Sequence, residues 1–225
     1  LPWREVFTDS QLQTLIEQGL ANNTDLQTAI LKVKEAQAAL MTSRLAYAPM
    51  LALSPQGTIS SFDKSAATKT YSLPVTASWE LDLFGNLLNA KRGSQVALLQ
   101  TKAYRQAVQT QIISGIANTY YTLLMLDKQL EISEQTADVM KRNVETMRAM
   151  KDAGMTNAAA VAQSEAAYAQ VIASLPAIRQ SIREAENALC MLLRQAPQAI
   201  KRSTLEEQQL PTQFSVGVPL QLLSN

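Results

Sequence analysis

Tyr71-Ser72-Leu73-Pro74-Val75-Thr76-Ala77-Ser78-Trp79-Glu80-Leu81-Asp82-Leu83 is the stretch that decides how this chain folds. Every odd position (Tyr71, Leu73, Val75, Ala77, Trp79, Leu81, Leu83) is apolar. Thr70 and the even positions Ser72, Thr76, Ser78, Glu80 and Asp82 are polar, with Pro74 the exception. Successive side chains of an extended backbone point to opposite faces, so this period of two predicts a strand with one apolar and one wetted face. Strands of globular domains usually span about five or six residues, whereas a tilted strand crossing a bilayer needs about nine to eleven plus its interfacial ends. The run is therefore expected to be a transmembrane strand with its odd side chains toward lipid and Tyr71 and Trp79 as interfacial anchors. A soluble sheet packed on helices also explains alternation in isolation; length and context favour the membrane strand.

Upstream, Leu51, Leu53, Pro55, Gly57 and Ile59 repeat the alternation more weakly, with a proline and a glycine that suit bends better than a central strand. Between the two runs, Phe62-Asp63-Lys64-Ser65-Ala66-Ala67-Thr68-Lys69 is a polar loop suited to joining antiparallel neighbours.

Downstream of Phe84-Gly85 the period becomes helical and holds to Asp152, about 67 residues or roughly 100 Å of helix at 1.5 Å per residue. Ile112, Ile116, Thr119, Leu123, Leu126, Leu130, Ser133, Ala137, Met140, Val144 and Met147 alternate spacings of four and three, with only Thr119 and Ser133 polar. That is a coiled-coil seam. Ala153-Gly154-Met155-Thr156 breaks the rod: Gly154 can take the positive φ that ends a helix, and Thr156 or Asn157 can cap the next. The return arm carries Val161, Ser164, Tyr168, Val171, Leu175, Ile178, Ile182, Ala185, Leu189 and Leu192 in the same rhythm, so the two seams can zip antiparallel. Pro176 removes a backbone donor and crowds the preceding turn, which predicts an interruption and a kink in this arm. From Ala196 to Asn225 the periodicity is lost, and Pro197, Pro211 and Pro219 make the segment read as an extended linker.

At the other end, Asp9 precedes Leu12, Leu15, Ile16 and Leu20 at helical spacing, with Asn22 and Asn23 as terminators of a short helix over about residues 10–21. Thr24 and Gln27 then form a capping-box pattern ahead of Leu26, Ala29, Ile30, Val33, Leu40 and Leu45, and Tyr47-Ala48-Pro49 ends this second helix.

Composition narrows the functional classes. Among 225 residues, 20 basic and 19 acidic side chains give a net charge of +1, without the basic excess that phosphate backbones attract, so nucleic acid is not an expected partner. No apolar run reaches the roughly 18 residues of a membrane-spanning helix, and Leu1 opens no charged segment with an apolar core, so a bilayer would be crossed by strands. The absence of histidine removes the Ser-His-Asp and Cys-His nucleophile systems and the usual zinc sites. There is no paired-carboxylate frame, phosphate-binding glycine loop or EF-hand spacing, and neither an enzyme nor a cofactor is expected. Cys190, beside Leu189, Met191, Leu192 and Leu193, reads as a packing residue.

The order of elements, together with three motifs, resembles the outer-membrane factor family that includes TolC and its lipoprotein relatives, over essentially the whole chain. Ser78-Trp79-Glu80-Leu81-Asp82-Leu83-Phe84-Gly85 is similar to the family signature where the second barrel strand passes into the long periplasmic helix. Trp3, Phe7, Leu12, Ile16 and Asn22-Asn23-Thr24-Asp25-Leu26 resemble its N-terminal helix pair, and Val216-Gly217-Val218-Pro219 with Leu222-Leu223 the linker ahead of its second repeat. The resemblance implies a mainly α fold with a β-hairpin. Its parts would be a helix pair (1–49), two barrel strands with an extracellular loop (50–84), a long antiparallel coiled-coil hairpin in the periplasm (85–195) and a linker toward a second repeat (196–225).

In that family each protomer has two similar halves, and a homotrimer closes a twelve-stranded barrel over a helical tunnel. This sequence matches the first half. Three copies would supply six strands, fewer than the roughly eight of the smallest familiar barrels, so the chain alone is not expected to form the pore. The implied function is a passive exit duct for drugs, metals or other small molecules, sited in the outer membrane with a periplasmic extension. Outer-membrane lipid, a periplasmic adaptor and an inner-membrane pump would be its partners. Ala153, Gly154, Met155 and Thr156 match the place where members meet the adaptor, the plainer reading being a simple helix-turn-helix loop. Cys190 does not correspond to the N-terminal cysteine that carries a lipid in many members, and the family's acidic gate lies in its second repeat. A soluble coiled-coil adaptor or scaffold is the rival reading, but adaptors flank their hairpin with compact β domains, whereas here a long alternating strand runs straight into it.

Overall fold

The computed structural model describes residues 3–60 and 68–209. In chain order the elements are α1 (Trp3–Val6), α2 (Ser10–Asn22), α3 (Thr24–Leu45), β1 (Met50–Leu53), β2 (Gln56–Ser60), β3 (Thr68–Ser72), β4 (Val75–Ser78), α4 (Asn86–Asp152) and α5 (Ala158–Leu193). The fold is mainly helical with a small sheet. Two compact units divide it, one built from residues 1–26 with 108–225 and the other from residues 27–107.

In the first unit the helical hairpin of α4 and α5 follows the two seams. Every seam position from Ile112 to Met147 and from Val161 to Leu192 is buried or half-buried. Burial is deepest where α2 joins the pair: Leu12 and Ile16 of α2, Ile116, Tyr120 and Leu123 of α4, and Leu189 and Leu193 of α5 are all fully buried. Two helices alone cover only a seam, whereas a third closes the apolar side. Gly19 permits that approach, since a Cβ there would lie 2.3 Å from Cδ1 of Ile116. Cys190 is buried in the same region.

Asn23 both ends α2 and starts α3. Its N–H reaches the Gly19 carbonyl at 2.9 Å, its Oδ1 accepts from the amides of Asp25 (2.9 Å) and Leu26 (3.2 Å), and its Nδ2 donates to the Leu192 carbonyl (3.1 Å). The cap is thus Asn23 and not the expected Thr24, which is already helical. Asn23→Ala is expected to cost about 1–2 kcal/mol, because it removes the cap and one bond to α5. Urea unfolding followed by circular dichroism measures it.

α5 runs unbroken through Pro176, contrary to the expected interruption. The ring sits on the exposed side between buried Leu175 and Ile178, so the helix loses one hydrogen bond without losing a core contact.

The segment after α5 is irregular, yet its first part is docked and is not a free extended linker. Ile200 is buried, and Arg202 pairs with Asp127 of α4 and Glu186 of α5. Asp9 Oδ2 accepts from Tyr120 Oη (2.6 Å), Ser203 Oγ (2.7 Å) and Gln208 Nε2 (2.8 Å), tying α2, α4 and the segment together. Burial alone would raise the Asp9 pKa, but these donors and the Gln11 amide outweigh it and hold the carboxyl below its ordinary 3.8. Burial and the bond to Asp9 push Tyr120 up to about 12. Pro211, Pro219 and the Val216–Pro219 motif lie outside the described residues.

In the second unit β1 pairs antiparallel with β4, and β2 with β3. Leu53 faces Val75 and Gln56 faces Ser72, so the register is unchanged across the gap and the two ladders are halves of one hairpin. The gap sets Ser54-Pro55 against Leu73-Pro74, bridged by Ser54 N–H to the Pro74 carbonyl at 3.1 Å. The single strand expected from Tyr71 to Leu83 is therefore split, because Pro74 has no N–H to return to Ser54. It also ends at Ser78. Beyond it Asp82 caps α4, its carboxylate accepting from the amides of Leu87 (3.1 Å) and Leu88 (2.8 Å), and Gly85 takes φ +74° in the turn. Thr68 and Lys69, expected in the loop, belong to β3; Phe62 to Ala67 lie outside the described residues.

Candidate functional site

Two surfaces carry the candidate residues. On the strand hairpin, Leu51 faces Ala77, Leu53 faces Val75 and Gly57 faces Tyr71, which gathers both apolar runs onto one side. The other side holds Gln56, Thr58, Thr70, Ser72, Thr76 and Ser78, together with Met50 and Ala52, while Lys69, opposite Ile59, puts one charge at the loop end of the apolar side. Tyr71, Val75 and Ala77 lie in this ladder, Leu73 lies in its gap, and Trp79, Leu81 and Leu83 follow it on the way to α4. All seven are exposed, from 59% at Leu81 to 79% at Leu83 among the larger ones. Leu51, Leu53 and Ile59, outside the run from Tyr71 to Leu83, extend the same face with exposures of 61–73%. Their weaker alternation was the available signal, and the register completes it.

A soluble antiparallel sheet packs one face on a core. Here the apolar side is uncovered, and a two-stranded ribbon by itself is marginal in water. Such a surface needs lipid, further strands, or both. No helix among the described residues is long and apolar enough to cross a membrane.

The second surface is the turn between α4 and α5. Met155 N–H reaches the Met150 carbonyl (2.8 Å) and Gly154 N–H the Lys151 carbonyl (2.9 Å), with Gly154 at φ +73°. This double bond pattern closes the last carbonyls of α4. Asn157, not Thr156, caps α5 by accepting from the Ala160 amide at 2.9 Å. Ala153, Gly154 and Met155 are exposed, Met155 by 72%, and Thr156 is half-buried. Arg148–Glu165 (2.7 Å) and Asn143–Ser164 (3.3 Å) hold the two arms in register just behind the tip. A Cβ at Gly154 would meet open space, so Gly154→Ala should cost only the left-handed backbone, about 1–2 kcal/mol, in thermal unfolding.

No group of three or more metal-ligating His, Cys, Asp or Glu side chains occurs among the described residues. The two surfaces are an uncovered apolar strand face and an exposed helix-hairpin turn.

A family model for outer membrane efflux proteins matches residues 15–193, from within α2 to the end of α5. The chain belongs to the outer membrane efflux protein family. Membership places it with outer-membrane proteins. This outer membrane efflux chain is similar to the cation efflux system protein CusC of Escherichia coli, at 30% identity over 226 residues covering 97% of this chain and 50% of that protein. To the pyoverdine export outer membrane protein OpmQ of Pseudomonas aeruginosa it is 27% identical over 236 residues, covering 99% and 50%. A crystal structure of CusC superposes with a TM-score of 0.84 at 27% identity, over 99% of this chain and 53% of that one. The outer membrane protein VceC of Vibrio cholerae gives 0.78 at 26%, over 87% and 49%. The efflux chain thus spans about half the length of the relatives it matches.

Proposed function

We propose that the chain is one half of a protomer of a passive outer-membrane exit duct and performs no chemistry. The observation that carries this is the exposed apolar side of the strand hairpin, which runs directly into a helix of 67 residues. Strands closed into a barrel satisfy their backbone groups in lipid, and long paired helices extend a water-filled bore away from the membrane. Tyr71, Leu73, Val75, Ala77, Trp79, Leu81 and Leu83 are the lipid-facing residues of this reading. Ala153, Gly154, Met155 and Thr156 form the tip that meets a periplasmic adaptor, and an inner-membrane pump supplies the energy. Residues 1–49 are the helix pair, 50–84 the barrel strands, 85–195 the hairpin and 196–225 the connection to the second half of a homotrimer protomer. Cargo is a small molecule or ion, the class for which the similar proteins are named.

The adaptor reading shares the helical hairpin but not the exposed strand face. The full-length protein, reconstituted in planar bilayers, is expected to conduct ions. A soluble monomer without conductance would overturn the proposal in favour of the adaptor.

A further inference from the structure

Charge is unevenly distributed. Residues 27–107 carry nine basic and four acidic side chains, although the chain as a whole is balanced at 20 to 19. Three of those cations gather at the foot of the strand hairpin. Arg44 lies in the last turn of α3, and Lys91 and Arg92 lie in the second turn of α4. A 2.8 Å contact between Ser43 Oγ and Ser94 Oγ brings these helix ends together. Trp79, the first residue after β4, donates its indole N–H to the Tyr47 carbonyl at 3.1 Å, and Lys91 Nζ stands 5.8 Å from the Tyr47 ring centroid. Arg44 and Arg92 are exposed and Lys91 half-exposed, and none of the three joins an ion pair among the described residues.

The nearby acids do not fully neutralise this cluster. Asp82 keeps its charge while accepting from the amides that start α4, and Glu80 lies just beyond β4, so two carboxylates stand against three cations. Lys91 lies beside the Tyr47 ring, and Arg44 and Arg92 belong to the same helix junction at the end of the apolar face. Aromatic rings with a polar edge, flanked by long cationic side chains, are the groups that settle where hydrocarbon meets headgroups.

We infer that Arg44, Lys91 and Arg92, with Tyr47 and Trp79, form a cationic collar that binds the phosphate headgroups of anionic phospholipid in the leaflet nearest the helices. The inference rests on the membrane reading above and adds a lipid class and the residues that select it. Cations within a Debye length of an anionic surface each strengthen association severalfold, and salt screens the effect.

The test uses the full-length protein in nanodiscs of phosphatidylethanolamine containing a minority of phosphatidylglycerol. Lipids that stay bound are counted by native mass spectrometry, and insertion is followed separately by protease protection. The protein is expected to retain phosphatidylglycerol about tenfold over its share of the bilayer, and the triple variant Arg44→Gln, Lys91→Gln, Arg92→Gln to insert equally but lose that enrichment. The control Lys102→Gln, Arg105→Gln, further along α4, is expected to keep it. Normal insertion with no enrichment in the unaltered protein, or enrichment unchanged in the triple variant, would overturn the collar alone. Failure of the unaltered protein to insert would instead overturn the membrane reading and the collar with it. If the triple variant does not insert, the single variant Lys91→Gln carries the test, with enrichment expected to fall severalfold and an unchanged value counting against the collar.

Discussion

Replacing Arg202 with methionine is expected to lower the unfolding free energy by about 2–4 kcal/mol, one of the two largest effects anticipated for a single substitution in this chain. The guanidinium is bidentate to Asp127, with Nη2 at 2.8 Å from Oδ1, while Nη1 reaches Glu186 Oε1 at 2.6 Å and the Ile200 carbonyl at 3.1 Å. The bond to Asp127, opposed by burial and helped by Glu186, raises the already high pKa of Arg202, so the side chain is charged throughout the working range. The side chains of Arg202 and Glu186 are exposed by only 15% and 14%. Methionine fills the same volume but leaves Glu186 buried without a counter-charge, and that uncompensated charge dominates the loss. Asp127, 39% exposed, recovers part of its hydration, which places the effect below that of a fully buried triad. Arg202→Lys keeps the charge without the planar fork and should fall in between. Denaturant unfolding followed by circular dichroism reads all three proteins. A loss for Arg202→Met no larger than that of an exposed pair, below about 1 kcal/mol, would mean that the segment after α5 is not docked.

The second large effect concerns the strands. Val75→Arg is expected to cost about 2–4 kcal/mol of folding in a bilayer, because it places a charge on the apolar side of the hairpin near its middle. Thr76→Arg, one residue on and on the other side, should cost little. The comparison is made on the full-length protein by titrating folding into lipid vesicles with urea. Equal losses at the two positions would contradict a one-sided lipid face.

Acid provides a milder perturbation. The folded-state pKa of Asp9 is depressed, so its contribution is present above the ordinary carboxylate value of 3.8 and is lost as pH falls through the lower folded value. Asp9→Asn should flatten the stability profile in that acid window, as unfolding midpoints against pH would show.

The periodic features of this fold were legible in the sequence. The positions of both seams follow from a heptad rhythm sustained over many turns, the change of period after Phe84-Gly85 marked the start of α4, and Gly154 marked the reversal. Features set by one residue or by distant pairing were not legible. Asn23 and Thr24 satisfy the same capping preference, and only the backbone decides between neighbours. Pro74 stood out as the exception in its strand, but its consequence depended on meeting Ser54 across the ladder, a matter of register. Asp82 read as a wet-face strand residue because its capping role depends on where α4 begins. Arg202 joins Asp127 and Glu186 from far along the chain, and Asp9 joins Tyr120 and Ser203 in the same way; such pairs leave no period to detect. At the candidate surfaces, alternation identified half of the apolar face, and the ladder supplied Leu51, Leu53 and Ile59.

The central claim, that the odd side of the hairpin faces lipid, is tested most directly by a cysteine scan from Thr70 to Leu83. The full-length protein with Cys190→Ala as background is labelled with a fluorophore at each position and reconstituted in bilayers, then exposed to lipid-resident and aqueous quenchers. Tyr71, Leu73, Val75 and Ala77 are expected to be quenched from the lipid, and Thr70, Ser72, Thr76 and Ser78 from water, in strict alternation. Uniform quenching from water along the whole run would contradict the account.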